Sequence, residues 1–229
     1  MYIILEKFFN LINKYHQKRI IEFIKNLNFN CVIDVGAHEG LFIADVNKLE
    51  KIKKIYAFEP QTNIFGDLSE KYSNNKNVEI FNLAIDKEIT KKDIFINKLS
   101  STSTLSRFDS SSFFLKIKNL ITFSRNNYVK KYQVQTNTID NQFKNITIKN
   151  SLLKVDVEGL ELDVLIGAEK KIANEIKYVL VEHKYGKQYK NSKKDEVHDF
   201  LSNKNFVVEK VFYYPTFHFK DVLYKRVNY

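Results

Sequence analysis

The sequence predicts an α/β protein with a doubly wound, mostly parallel β-sheet and helices on both faces. Short apolar strands alternate with helical stretches along most of the 229 residues, which is typical of βαβ units with right-handed crossovers. In addition, a glycine turn at Gly36 ends the first strand and opens a helix. Ligands of such folds bind at the carboxyl edge of the strands.

The predicted elements follow one another at regular spacing. The first half predicts strands at 31–35, 54–59 and 78–84, with helices at 41–49 and 62–73. The second half predicts strands at 152–156 and 178–182, with helices at 161–173 and 193–203. The last two strands, near 206–211 and 217–226, flank a turn at Pro215, so we expect an antiparallel pair at one edge of the sheet.

Two regions depart from this alternation. Residues 1–28 form an amphipathic N-terminal helical extension, which packs on the main domain, forms a homo-oligomer surface or makes a peripheral membrane contact. Residues 29–229 form the main domain, with an insertion at about 86–150 that contains a candidate hairpin and a Ser/Thr-rich stretch. Ser101 and Ser103 in that stretch are candidate substrate contacts, because the insertion follows the third strand.

Composition excludes several classes of protein. A single cysteine, Cys31, cannot form an internal disulfide, and no apolar run is long enough for a transmembrane segment. The N-terminus makes a poor signal peptide, so we expect a cytoplasmic protein. The net charge is +10, but only four of the 37 basic residues are arginines, the preferred residue for base and phosphate recognition. We therefore expect no nucleic-acid partner.

The turn after the first strand is the first candidate binding site. It reads Asp34-Val-Gly36-Ala37-His38-Glu39-Gly40. It lacks a second glycine at position 38, which disfavours a dinucleotide, and it lacks the Gly-Lys-Ser/Thr of a P-loop. Glu59 ends the second strand, where a carboxylate can accept hydrogen bonds from both ribose hydroxyls. The alternative is an ordinary helix entry.

Together with Ala57-Phe-Glu59-Pro60, this turn resembles the cofactor motifs of class I S-adenosylmethionine-dependent methyltransferases. Further segments are similar to the FkbM family: Thr138-Ile-Asp140, the segment from Leu153 to Ala168 that contains Lys-Val-Asp156-Val-Glu158-Gly-Leu-Glu161, and Val179-Leu-Val-Glu182-His183. The similarity covers roughly residues 30–185.

This resemblance implies a Rossmann-like, seven-stranded sheet and transfer of a methyl group from S-adenosylmethionine to a hydroxyl, largely of sugars and other glycosylated or polyketide natural products. It also implies the cofactor contacts. Asp34, Gly36 and Gly40 line the amino-acid end of the cofactor, with Ala37, His38 and Glu39 in the same turn. Glu59 holds the ribose, and the segment from Asn82 to Ala84 lies near the adenine.

Acidic residues and a histidine follow the two later strands and are the candidate catalytic groups. Asp156, Glu158 or His183 could accept the proton of the substrate hydroxyl. Alternatively, Asp156, Glu158 and Glu182 could hold a divalent cation. Glu182 is also a candidate substrate contact. The structural alternative is that Asp156 caps the following helix, with Glu158 and Glu161 at its positive N-terminus.

Three hypotheses for the function remain at this point. The first is an O-methyltransferase that acts on a sugar or glycoconjugate in bacterial surface-polysaccharide biosynthesis. The second is a nucleic-acid methyltransferase, which the charge supports, although Asp156-Val-Glu-Gly159 is not the Pro-Pro-Tyr/Phe type of segment that amino-group methylation uses. The third is a non-catalytic nucleotide-binding module.

Overall fold

A computed structural model describes residues 2–97, 128–157, 159–184, 194–215 and 219–227. The helices are α1 (Tyr2–Ile24), α2 (Leu41–Val46), α3 (Thr62–Tyr72), α4 (Ile139–Gln142), α5 (Glu161–Ile166), α6 (Glu169–Asn174) and α7 (Lys194–Ser202). The strands are β1 (Cys31–Val35), β2 (Lys54–Phe58), β3 (Val78–Phe81), β4 (Ala84–Ile85), β5 (Lys91–Asn97), β6 (Tyr128–Asn137), β7 (Ser151–Val155), β8 (Ile176–Lys184), β9 (Phe206–Tyr213) and β10 (Phe219–Arg226).

Seven strands form one sheet in the order β3-β2-β1-β7-β8-β10-β9. Neighbours from β3 through β8 pair in parallel, whereas β10 pairs antiparallel with both β8 and β9. The predicted mostly parallel, seven-stranded sheet is therefore confirmed. The order reverses between β1 and β7, and this switch point is where such sheets bind ligands.

The predicted third strand, 78–84, is two strands. β3 stays in the main sheet, and β4 leaves it to pair with β6, which also pairs with β5 in a separate three-stranded sheet, β4-β6-β5. The side chain of Asn82 fixes the break, because its Nδ2 donates to the carbonyls of Glu59 (2.9 Å) and Pro60 (3.1 Å). The segment 98–127, with Ser101 and Ser103, lies outside the described residues.

The predicted helix at 161–173 is also divided, into α5 and α6. The chain turns between them at Gly167, where a Cβ atom would lie 2.1 Å from the backbone oxygen of Asp86. Only glycine permits this close approach of the α5–α6 turn to the segment that follows β4.

Apolar side chains cover both faces of the main sheet. Because successive residues of a strand point to opposite faces, Val32, Leu152, Leu180 and Leu223 lie on one face and pack with α1 and α2. Ile33, Val155, Val181 and Val222 lie on the other face, with α5, α6 and α7. We call the first of these the α1 face and the second the α5 face.

The N-terminal extension forms one helix whose second half packs on the sheet. Ile20 and Ile24 are buried in the α1-face core. The amine of Lys51 donates to the backbone oxygens of Ile24 and Lys25, near the end of the helix. In the part of the chain that the structure describes, no helix is long and apolar enough to cross a membrane.

Candidate active site

The turn after β1 brings the backbone close to the neighbouring strand ends. The amides of Gly36 and Ala37 both donate to the backbone oxygen of Phe58, at 3.1 and 3.0 Å. Gly36 has a φ of +84°, and a Cβ there would lie 1.9 Å from the backbone oxygen of Asp156. Glycine is therefore required at position 36 for both conformation and space.

The rest of the turn leads into α2 through residues with positive φ. His38 has a φ of +46° and Gly40 a φ of +72°, and Gly40 donates its amide to Ala37. Glu39 is exposed, whereas Ala37 is buried. Burial lowers the pKa of His38, and the charges of Glu39 and Asp156 oppose that shift.

Glu59 follows β2 beside this turn, and its carboxylate is anchored by backbone amides. Its Oε2 accepts from the amide of His38 at 2.9 Å, and its Oε1 accepts from the amide of Gln61 at 2.8 Å. Only 3% of Glu59 is exposed, and burial raises its pKa against the effect of these hydrogen bonds. Asn82 binds the carbonyl of Glu59, and Ala84 is buried in β4 nearby in sequence. The predicted ribose and adenine contacts are thus joined by one hydrogen bond.

A buried ion pair connects the ends of β1 and β7. Asp34 and Lys154 are register partners in the parallel pair, and the amine of Lys154 lies 3.1 Å from Oδ1 of Asp34. The same amine lies 3.5 Å from Oδ2 of Asp156. Burial lowers the pKa of Lys154, but the carboxylates of Asp34 and Asp156 outweigh it and hold the pKa above its ordinary value.

The two carboxylates differ in exposure. Asp34 has no accessible surface, and its Oδ2 has no hydrogen-bond partner among the described residues. Burial raises its pKa, and the Lys154 amine opposes that shift. Asp156 has a side chain that is 35% exposed, so it is open to a substrate at the carboxyl edge.

A second group of acids lies further along the same edge. Glu182 on β8 and Asp221 on β10 are register partners, on the α1 face with Asp34 and Lys154. Burial raises the pKa of both, and the negative charge of Asp156 adds to the shift. His16 of α1 meets this group, because its Nε2 lies 2.7 Å from Oδ2 of Asp221.

Glu161, at the start of α5, is a further acid of this cluster. Its Oε1 accepts from the amide of Gly159 at 2.9 Å. Burial raises its pKa to about 7, with a smaller contribution from Asp156. A carboxyl group that titrates there can act as either a hydrogen-bond donor or a proton acceptor under physiological conditions.

His183 lies apart from the other candidates. It follows Glu182 on β8 and so points to the α5 face, where its ring lies 6.2 Å from that of Tyr224. It is 8% exposed. The structure thus places Asp34 and Glu182 on the α1 face and His183 on the α5 face, and the charges of Asp156 and Glu161 both act on Glu182.

The described residues contain no group of three His, Cys, Asp or Glu side chains arranged to hold a metal ion. Of the three candidate cation ligands, Asp156 instead faces the Lys154 amine, Glu182 lies opposite Asp221, and Glu158 lies outside the described residues. The donor set therefore does not support the divalent cation.

Sequence reasoning missed Lys154, Asp221 and His16. Lys154 stands two residues before Asp156, a spacing that places both on the same face of a strand. That signal was available, but its partner Asp34 is known only from the register of β1 with β7. His16 and Asp221 are 205 residues apart, and no local pattern connects them.

The strand order, the glycine turn and the acidic strand ends define a Rossmann-like methyltransferase. The chain belongs to the family described as "Methyltransferase FkbM domain", which matches residues 34–208. The resemblance to the FkbM family is therefore confirmed. Comparison with curated proteins gives no match.

Solved structures share the fold at low sequence identity. The methyltransferase FkbM of Methylobacillus flagellatus is 13% identical with a TM-score of 0.54, and the match covers 86% of this chain and 43% of that one. This chain therefore spans less than half the length of that protein. A putative rRNA methylase of Clostridium thermocellum is 12% identical with a TM-score of 0.54, covering 92% and 95%. A putative tRNA (m1A22) methyltransferase of Streptococcus pneumoniae is 10% identical with a TM-score of 0.51, covering 93% and 72%.

Proposed function

We propose that the protein transfers a methyl group from S-adenosylmethionine to a hydroxyl of a sugar or glycoconjugate, in bacterial surface-polysaccharide biosynthesis. The observation that supports this best is the set of carboxyl groups along the carboxyl edge of the sheet: Asp156, Glu161, Glu182 and Asp221. Carboxylates are acceptors that suit a substrate rich in hydroxyl donors. The partly exposed Asp156 carboxylate also disfavours a phosphate at the same place.

The residues at the switch point fit the cofactor. Asp34 has a buried oxygen available for the amino group of the amino-acid end of the cofactor, and Gly36 lets the turn after β1 pack directly against the backbone of Asp156. Glu59 is held by two amides in an orientation suited to the ribose hydroxyls. When bound, the cofactor supplies a methyl group already activated by its positively charged sulfur.

The protein's remaining tasks are to orient the acceptor hydroxyl and to take its proton. We assign the proton to the carboxylate of Asp156, the most exposed acid that contacts Lys154. The Lys154 amine orients that carboxylate, and Glu161 and Glu182 bind neighbouring hydroxyls of the sugar. Since this route needs no cation, we expect turnover to persist in a chelator.

Calorimetry with S-adenosylhomocysteine, the demethylated cofactor, tests cofactor binding. Glu59→Ala should weaken binding by about 1.5–3 kcal/mol, because charge-assisted hydrogen bonds to the ribose are lost. Glu70→Ala, at an exposed position of α3, is the matched control and should bind normally. Unchanged affinity in Glu59→Ala would remove the ribose assignment.

Mass spectrometry of surface polysaccharide tests the acceptor. A strain that lacks the gene should lose one methyl group, a mass decrease of about 14 Da, on a defined sugar residue. Complementation with the wild-type gene should restore it. An unchanged glycan together with loss of methylation in RNA would favour the nucleic-acid alternative, and binding of the cofactor without any lost methyl group would favour a non-catalytic module.

A further inference from the structure

The Lys154 amine is the positive group that contacts both ends of the candidate site. Its side chain is 13% exposed, and it lies 3.1 Å from Asp34 on the cofactor side and 3.5 Å from Asp156 on the acceptor side. A lysine in the middle of a buried strand is costly unless it is paired. Lys154 meets this requirement because it is in register with Asp34, a fully buried carboxylate. We therefore ask what the pairing does for Asp34.

The surroundings of Lys154 are dominated by acids. Three acids act on its amine: Asp34 of β1, Asp156 after β7 and Asp221 of β10. The amine in turn acts on Glu182 of β8 and on His38 of the glycine turn, and Asp221 also contacts His16 of α1. The ring of Phe42 on α2 lies 5.5 Å from the amine. Lys154 thus offsets a local excess of negative charge.

The pairing with Lys154 uses only one of the two carboxylate oxygens of Asp34. Lys154 occupies Oδ1 of the carboxylate, while Oδ2 is buried without a hydrogen-bond partner among the described residues. A buried carboxylate oxygen without a partner is unfavourable and needs a donor. The amino group of the cofactor is such a donor.

We propose that Lys154 is a positioning residue that keeps Asp34 as an oriented carboxylate, with Oδ2 directed to the amino group of the cofactor. This inference rests on the proposed use of S-adenosylmethionine. It implies that Lys154 contributes to binding of the amino-acid end of the cofactor alone. The ribose and adenine, which lie by Glu59 and Asn82, should be recognised without it.

Two ligands separate this role from a structural one. S-adenosylhomocysteine carries the amino-acid end, whereas 5′-methylthioadenosine has the same ribose and adenine but lacks it. Calorimetry on the full chain should show that Lys154→Met weakens binding of S-adenosylhomocysteine by at least about tenfold, because the substitution leaves the Asp34 carboxylate without its counter-ion. Binding of 5′-methylthioadenosine should stay within about twofold of the wild type.

Lys51→Met is the matched control. The Lys51 amine is also partly buried and bound to oxygens, but these are the backbone carbonyls near the end of α1. This variant should lose stability without discriminating between the two ligands. If Lys154→Met weakened binding of both ligands equally, the proposal would be overturned, because a general structural defect would not affect the amino-acid end of the cofactor selectively.

Asp34→Asn and the double variant Asp34→Asn/Lys154→Met keep the proposal testable if Lys154→Met does not fold. Asp34→Asn should show the same selective loss, and the double variant should bind no worse than Asp34→Asn alone, since the lysine acts through that carboxylate. A loss in the double variant that exceeds that of Asp34→Asn by about tenfold would overturn the proposal. If the wild type binds neither ligand, the proposed function itself fails; if it binds both and Lys154→Met is unchanged, only the role of Lys154 fails.

Discussion

The acidic side chains at the carboxyl edge differ in burial and in hydrogen-bond partners, and so in the chemical roles that they can have. Asp34 is fully buried against Lys154, so it can serve a bound ligand but cannot exchange protons freely with solvent. Asp156 contacts the same lysine with a partly exposed carboxylate. Glu161 is held by the Gly159 amide and titrates near neutrality. Three acids in one cluster therefore have separate chemical properties.

Asp156→Asn should lower turnover by about 100-fold or more, the usual scale for loss of a positioned proton acceptor, with near-normal affinity for S-adenosylhomocysteine. His183→Ala should cost less, because His183 points to the α5 face. Steady-state kinetics with the identified acceptor, together with calorimetry, measure both effects. If Asp156→Asn keeps most of its turnover, proton transfer belongs to another group, and Asp156 serves only the local fold.

Glu161 predicts a pH dependence of stability. Its pKa rises from 4.5 in the unfolded chain to about 7 in the fold. The folded state thus favours the protonated form, so the contribution of Glu161 to stability is complete below pH 4.5 and is lost as the pH rises through about 7. Urea denaturation should show that the wild type loses free energy of unfolding relative to Glu161→Gln across this range.

The control for this measurement is Glu70→Gln, at an exposed position of α3. Its free energy of unfolding should stay within about 0.5 kcal/mol of the wild type, as is usual for exposed substitutions. A difference between Glu161→Gln and the wild type that does not change with pH would contradict the prediction.

The acids at strand ends were predictable from the sequence, because an acid directly after an apolar strand marks the carboxyl edge of a parallel sheet. Asp34, Glu59 and Asp156 were found in this way. The lysine that joins two of them was not, since its role depends on the register of β1 with β7 and on burial. The face occupied by His183 likewise depends on where β8 ends, which its apolar pattern left uncertain.

Among the elements, α1 contributes more than apolar packing. Its residue His16 is 4% exposed and contacts Asp221, the register partner of Glu182. The His16 ring also lies 5.2 Å from that of Tyr214 and 5.6 Å from that of Phe219. Both α1 and β10 lie outside the part of the chain that the FkbM family matches. The His16–Asp221 contact at the acidic edge thus joins two elements that lie outside the matched segment.

His16→Leu should destabilise the protein by about 1–3 kcal/mol, because it leaves the buried Asp221 carboxylate without its partner. Urea denaturation measures the change. Arg19→Ala is the matched control on the same helix: it removes a hydrogen bond to the backbone oxygen of Tyr213 at an exposed position, and it should cost no more than about 0.5 kcal/mol. Equal losses would show that α1 is held by general packing rather than by the His16–Asp221 contact.

The order of helices and strands was predictable because the spacing of apolar residues distinguishes the helices from the strands along most of the chain. The breaks within elements were not. The division between β3 and β4 depends on the side chain of Asn82, and that between α5 and α6 on the contact of Gly167 with Asp86. Both are long-range contacts that a local pattern does not contain.

Over the whole molecule, the net charge is positive, whereas the candidate active site is rich in acids. The net charge is +10, carried mostly by lysines, whereas the carboxyl edge carries a cluster of acids around one buried lysine. A basic surface binds polyanions weakly and without sequence preference. At the site itself, the partly exposed carboxylate of Asp156 disfavours a phosphate at the place where we propose that the methyl group is transferred.

The expectation of no nucleic-acid partner therefore concerns recognition and methyl transfer: we expect only non-specific binding of RNA to the basic surface, without methylation. Filter binding with total RNA should show an affinity that falls steeply between about 50 and 200 mM salt, as expected from counterion release at lysines. Incubation with radiolabelled S-adenosylmethionine and RNA from a strain that lacks the gene should leave the RNA unlabelled. Cell-envelope polysaccharide from the same strain should become labelled in parallel reactions, which shows that the enzyme is active. Labelled RNA with unlabelled polysaccharide would contradict the sugar hypothesis and mean that the basic surface delivers RNA to the site.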